Sequence, residues 1–289
     1  MIEGKFLGKQ VEYPQQYAPE MLVAVPRHFN REQYQLNDKN LPFIGLDVWH
    51  AYELSFLTKK GLPVTGLLKV VYPATNKAIV ESKSLKLYLN SFNMHRFGNT
   101  AEEGLREVLT IINKDLSQVL ETVVETGFFK HDKHAATFDF SDFTVLEDAT
   151  DSDSIQFTHY NEAPELLISA NKAGELKIAS HLLRSNCKIT NQPDWGSCYI
   201  HIKGASLPDE TALLKYLVSI RNENHFHEEI CEMIFKRLWD SFSPDELAVS
   251  CIYTRRGGID ICPVRASHTH LLPLALTNPS VLSEKLLRQ

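Results

Sequence analysis

The sequence predicts an α+β fold of two ββααββ units, each an antiparallel sheet with its helices on one face. Three observations carry this. Pairs of segments with alternating apolar residues bracket pairs of segments with helical spacing, and this order occurs twice. The acidic, aperiodic stretch "EDATDSDS" at 147–154 separates the two runs, so the units are taken as residues 1–150 and 151–289. With 289 residues, 43% of them hydrophobic, the chain can fill two such cores.

In the first unit, "LDVWHAYELSFL" (46–57) places Leu46, Val48, Leu54 and Phe56 on alternate positions, and "PVTGLLKVVYP" (63–73) follows a Lys-Lys-Gly-Leu turn; both read as paired strands. "AIVESKSLKLYLNSF" (78–92) comes next. In "TAEEGLREVLTIINKDLSQVLE" (100–121), Thr100 and Glu103 form a capping box ahead of Leu105, Val108, Leu109, Ile112 and Leu116, an amphipathic helix. "GFFKHD" (127–132) and "ATFDFSDFTVLE" (136–147) close the unit as two strands.

The second unit repeats the order. Strands are expected at "ELKIASHLLRS" (175–185) and "SCYIHIKG" (197–204), flanking a turn-rich segment, "SNCKITNQPDWGSC" (185–198), that reads as an irregular, partly exposed loop. Ser206 and Asp209 mark a helix start ahead of Leu213, Leu214, Leu217 and Val218, and "HEEICEMIFKRLWDSF" (227–242) buries Ile230, Ile234 and Leu238. "ELAVSCIYT" and "GIDICPV" pair across Arg255-Arg256-Gly257-Gly258.

A formal net charge of −6 without any Lys/Arg run disfavours nucleic acid and anionic membranes and favours a small-molecule partner. "MIEGKFLGKQVEYPQQ" lacks the apolar core of a signal peptide, and no apolar run approaches the ~18 residues that cross a bilayer, so the expectation is a soluble, cytoplasmic protein. Five cysteines without a C-x-x-C pair argue against a disulfide framework and a structural zinc site.

Four places offer chemistry. In the turn-rich segment Cys187 lies near the cations Arg184 and Lys188, and Asp194 lies between Pro193 and Trp195, apolar neighbours that would keep an acid protonated; a buried structural thiol and an Asx turn are the plainer readings. "HFHEEICE" sets His225, His227 and Glu228 at a helix start, without the i, i+4 histidine spacing of a helical metal site, so no metal is assigned. Glu228 reads either as a partner of the helix dipole or as an acceptor for a paired N–H ring edge. "VESKSLKLY" gathers Glu81, Ser82, Lys83, Ser84 and Lys86, a solvated helix face or a phosphate contact at a helix start. Arg255 and Arg256 suit bidentate phosphate binding, and no G-x-G-x-x-G follows a strand to support a Rossmann site.

Together these segments resemble the NADPH-dependent 7-cyano-7-deazaguanine reductases, the nitrile reductases of queuosine biosynthesis. "ESKSLKLY" (81–88) matches that family's signature, and the likeness extends through "GLDVWHAYELSFL", "SNCKITNQPDWGS", "FHEEICEMIF" and "YTRRGGIDICPVR". The resemblance implies a duplicated tunnelling fold that closes into a barrel on dimerising. It implies four-electron reduction of a nitrile to an aminomethyl group through a covalent thioimide, with NADPH as reductant. By matched position, Cys187 is the nucleophile and Asp194 the proton donor. Val80, Glu81, Ser82, His227 and Glu228 surround the deazaguanine, and Ser82, Lys83, Arg256 and Gly257 take NADPH. A non-redox cyclohydrolase or hydrolase on the same fold, and a tRNA-binding partner in the same pathway, are the alternatives.

Overall fold

The computed structural model describes residues 12–130 and 136–289. The first half holds β1 (Ala24–Pro26), α1 (His28–Gln33), β2 (Ile44–Leu57), β3 (Pro63–Pro73), β4 (Ala78–Val80), α2 (Ser82–Asn90), α3 (Ala101–Leu120) and β5 (Glu125–Phe129). Then come β6 (Ala136–Thr137), β7 (Thr144–Val145) and α4 (Leu146–Ala149). The second half holds β8 (Gly174–Ser180), β9 (Arg184–Cys187), β10 (Pro193–Gly204), α5 (Glu210–Ser219), β11 (Asn224–His225), α6 (His227–Phe242), β12 (Glu246–Tyr253) and β13 (Ile259–Ala266). A tail with α7 (Leu274–Thr277) and β14 (Leu282–Ser283) completes the chain.

The two halves share one sheet. Its antiparallel spine runs β10-β12-β13-β2-β3-β5, with β8 and β9 both on the outer edge of β10. The joint is β13 against β2, in register from Ile259 opposite Ala51 to Ala266 opposite Ile44. Two short parallel pairs, β11 with β9 and β7 with β8, make the sheet mixed, and among the described residues it is open rather than closed.

One face carries the long helices. Val108, Ile112, Leu116 and Leu120 of α3 pack on Trp49, Leu68 and Val70, while Leu213 and Leu217 of α5 and Ile230, Ile234 and Leu238 of α6 pack on Ile200, Ile202 and Val249. The i, i+4 spacing puts each set on one stripe, and burial of such side chains supplies about 1.5–3 kcal/mol apiece. Phe140 and Leu276 cover the other face, against Val48, Tyr199 and Val264.

Four expectations need correction. The alternation in β2 is broken by a bulge between Ala51 and Leu54, so Leu54 and Phe56 join Trp49 on the helix face while Val48 lies on the other. Segment 136–147 is no strand of the first unit. Phe138 and Phe140 alternate because they pack against Tyr199, where Phe140 stacks at 4.1 Å, and only β6 and β7 pair, with β14 and β8 respectively. The cap of α5 is Asp209, whose side chain accepts from Ala212 N, while Ser206 meets Ser169 instead; Val218 is only half-buried. The turn-rich segment is a hairpin of β9 and β10, and Cys187 and Asp194 on it are buried. Of the expected strand 127–132, residues 131 and 132 lie outside the described residues, as does 1–11 of the N-terminal segment.

Candidate active site

A cavity of about 260 Å³ opens where the start of α2, the β9–β10 hairpin, the start of α6 and the β12–β13 turn meet. Val80, Ser82, Lys83, Cys187, Asp194, His227, Glu228, Arg256 and Gly257 all line it. Glu81 does not: it is buried and caps α2, its carboxylate accepting from Ser84 N.

The hairpin fixes the thiol and the acid. Cys187 N donates to Gln192 O at 2.8 Å, and Asn191 turns the chain at φ 54°, a left-handed conformation that asparagine tolerates. Asp194 pairs with Ser185, so Cys187 and Asp194 are diagonal neighbours on one face of the ribbon. Pro193 and Trp195 consequently point the other way and are exposed; they do not enclose the Asp194 carboxylate. Its surroundings are polar instead: an ion pair with Arg256, and His227 Nε2 at 3.3 Å from Oδ2. The cations near Cys187 are turned away, Arg184 against Trp195 and the Arg221 carbonyl, Lys188 toward Glu229 at 3.2 Å.

At the start of α6, Glu229 accepts from Phe226 N and so leaves Glu228 for the cavity. Burial, reinforced by the Asp47 charge, pushes the Glu228 carboxyl up to about 7, and its Oε1 makes no hydrogen bond within the described residues. Burial likewise pushes His227 down to about 4, although the neighbouring Glu228 opposes this. The ring is therefore neutral at pH 7, stacked on Tyr253 at 3.9 Å. His225 also borders the cavity, but its ring nitrogens meet Tyr34 and Glu229, so the two histidines do not converge on one point.

Opposite, Lys83 and Lys86 of α2 line the cavity beside Arg256. Gly257 has φ +58°, and a Cβ there would meet Lys86 Nζ at 3.1 Å. This open, cationic corner fits a phosphate-bearing cofactor. Arg255, weighed equally with Arg256 in the sequence, is turned away and lies over Tyr52 at 4.2 Å. Sequence reading also missed the apolar wall of Trp49, Ile79, Phe226, Ile259 and Ile261. The signal was available in the cross-strand pair Trp49 and Ile261, but it needs the register of β2 on β13.

Two family models match the chain. A family model described as nitrile reductase, 7-cyano-7-deazaguanine-reductase N-term, matches residues 13–128, and one described as QueF-like protein matches residues 193–271. Fold and site thus define a protein of the nitrile reductase class. An NADPH-dependent 7-cyano-7-deazaguanine reductase of Colwellia psychrerythraea is 42% identical over 276 residues, covering 94% of each chain. The protein of that name from Coxiella burnetii (strain Dugway 5J108-111) is 40% identical over 267 residues, covering 92% of each. The chain belongs to the family of NADPH-dependent 7-cyano-7-deazaguanine reductases.

Proposed function

We propose that the chain reduces the nitrile of 7-cyano-7-deazaguanine to the aminomethyl group of 7-aminomethyl-7-deazaguanine, a four-electron reduction with NADPH in queuosine biosynthesis for tRNA. One observation carries the reading: a thiol, an acid, a buried carboxylate with one oxygen left without a hydrogen bond, and a cluster of cations share a single cavity. Cys187 is the nucleophile. Its sulfur bonds to the nitrile carbon while the thiol proton passes through Asp194 to the nitrogen and one C–N π bond breaks, and the product is a thioimide, a more electrophilic C=N than the nitrile. NADPH, when bound, supplies hydride to that carbon, once to the thioimide and once to the imine that follows. Cys187 leaves as thiolate between the two, and His227 faces the nitrogen throughout. The buried walls keep water from the imine.

Val80, Ser82, His227 and Glu228 hold the heterocycle. Glu228 accepts from its paired N–H edge, and Glu81 serves by fixing the start of α2. Ser82, Lys83, Arg256 and Gly257 hold the dinucleotide, Lys83 and Arg256 by charge. We take residues 1–150 and 151–289 as the two tunnelling-fold units. A second copy closes the open sheet into a barrel, giving a homodimer, and the protein acts in the cytoplasm on a small molecule without binding nucleic acid. Among the described residues no helix is long and apolar enough to cross a membrane. The test is stoichiometry: the purified protein, given the nitrile and NADPH, is expected to oxidise two NADPH per nitrile consumed. One NADPH per nitrile, or none, rejects the reading.

A further inference from the structure

His227 Nε2 stands 3.3 Å from Asp194 Oδ2, yet it makes no hydrogen bond among the described residues that would fix it there. What holds the ring is flat contact. It lies on Tyr253 of β12 with ring centres 3.9 Å apart and planes 30° apart. Tyr253 is fully buried, and burial pushes its hydroxyl well above the ordinary phenol range, so the face beneath His227 belongs to a neutral ring.

The seat of Tyr253 is itself built. Directly opposite on β10 is Gly196, where a Cβ would come within 3.1 Å of Tyr253 Cδ1 and 3.3 Å of Cε1. A larger residue there would push the ring aside, and a glycine inside a strand marks such a close approach. Gly196 follows Asp194 by two positions on β10, so both project from the same face. The contacts close a circuit: Asp194 and Gly196 share a strand, Gly196 seats Tyr253, Tyr253 seats His227, and His227 returns to Asp194.

Resting on the roles given above to His227 and Asp194, we propose that Tyr253 is a positioning residue for the reduction and that Gly196 is the gap that admits it. The stack holds the imidazole in one plane beside Asp194, so that acid and ring meet the substrate nitrogen together. A flat ring is what the site requires of position 253, and the hydroxyl is dispensable. Without the stack His227 turns about its Cβ–Cγ bond, and a misplacement of about 1 Å at reacting groups costs on the order of a hundredfold in rate.

The test reads geometry and rate on the same proteins. Ring-labelled histidine is incorporated into wild type, Tyr253→Phe and Tyr253→Leu, and His227→Gln assigns the signal by NMR; protons seated over an aromatic face are shifted upfield. Wild type and Tyr253→Phe are expected to show the shifted His227 signal and to reduce the nitrile at rates within about twofold of each other, while Tyr253→Leu loses the shift and about tenfold or more in kcat, with the KM for NADPH unchanged. A role in packing alone would lower the melting temperature of Tyr253→Leu and leave kcat of the folded protein intact, so a lost shift with undiminished kcat overturns the proposal and leaves the function standing. A wild type without the shifted signal overturns it too, as does a Tyr253→Phe as slow as Tyr253→Leu. No nitrile reduction by wild type overturns the functional reading and the proposal with it. If Tyr253→Leu does not fold, Gly196→Ala takes its place: the added methyl displaces the same ring, and both shift and kcat are expected to fall together.

Discussion

Glu228 shows how one side chain is set by what surrounds it. Its residue type and its place at a helix start were legible, but its environment was not: burial and the Asp47 charge raise it to about 7. A carboxyl so raised is ionised above that pH and protonated below it, and only the ionised form accepts from two N–H donors. We expect the KM for the nitrile to rise as pH falls below about 7, read from initial rates at saturating NADPH. Glu228→Gln should abolish that dependence and raise KM by roughly ten- to a hundredfold, the worth of a charge-assisted hydrogen bond. A pH dependence that survives the substitution would assign it to another group. Cys187 and Asp194 were likewise legible as a thiol and an acid seven positions apart. The Arg256 contact was not, because it joins residues separated by 62 positions.

At the scale of elements, the helices were the best-read parts because period and cap agree. The span of α6 is the one its apolar spacing predicts, and α3 starts at the predicted Thr100 cap. Failures came where local pattern served a distant partner. The phenylalanines of 136–147 alternate in order to meet Tyr199, and the composition of 185–198 signals a turn that occupies only its middle. Pro193 opens β10, a position where its missing N–H is tolerated. The corrected cap of α5 gives a direct test by urea unfolding. Asp209→Ala should cost about 1 kcal/mol, since it removes the acceptor for Ala212 N, and Ser206→Ala appreciably less. Equal losses would return the cap to Ser206.

For the molecule as a whole, the joint between halves is electrostatic as well as apolar. Arg265 of β13 holds Asp47 of β2 at 2.8 Å and Glu232 of α6 at 2.9 Å, Arg31 of α1 holds Glu232 at 2.7 Å, and Arg27 holds Asp47. Burial alone would raise both acids, but Arg265 and its neighbouring arginines outweigh it and hold them below the ordinary carboxylate range. Their contribution is therefore present above the unfolded-state value of about 4 and is lost as pH falls through the native one. Arg265→Met leaves two buried carboxylates undercompensated and should cost about 3–5 kcal/mol at neutral pH by denaturant unfolding, and less in acid. A neutral effect would mean that the strand pairing alone joins the halves. No local pattern announces this network, because its members come from positions as far apart as 27 and 265. The same joint brings α2 to the hairpin that bears Cys187, so the cavity belongs to both halves. The role of Cys187 in that cavity is tested most directly by NADPH oxidation in Cys187→Ala beside wild type, with the nitrile present and folding matched by thermal melt. We predict two NADPH per nitrile in wild type and no nitrile-dependent oxidation in the variant; undiminished turnover by Cys187→Ala would contradict it.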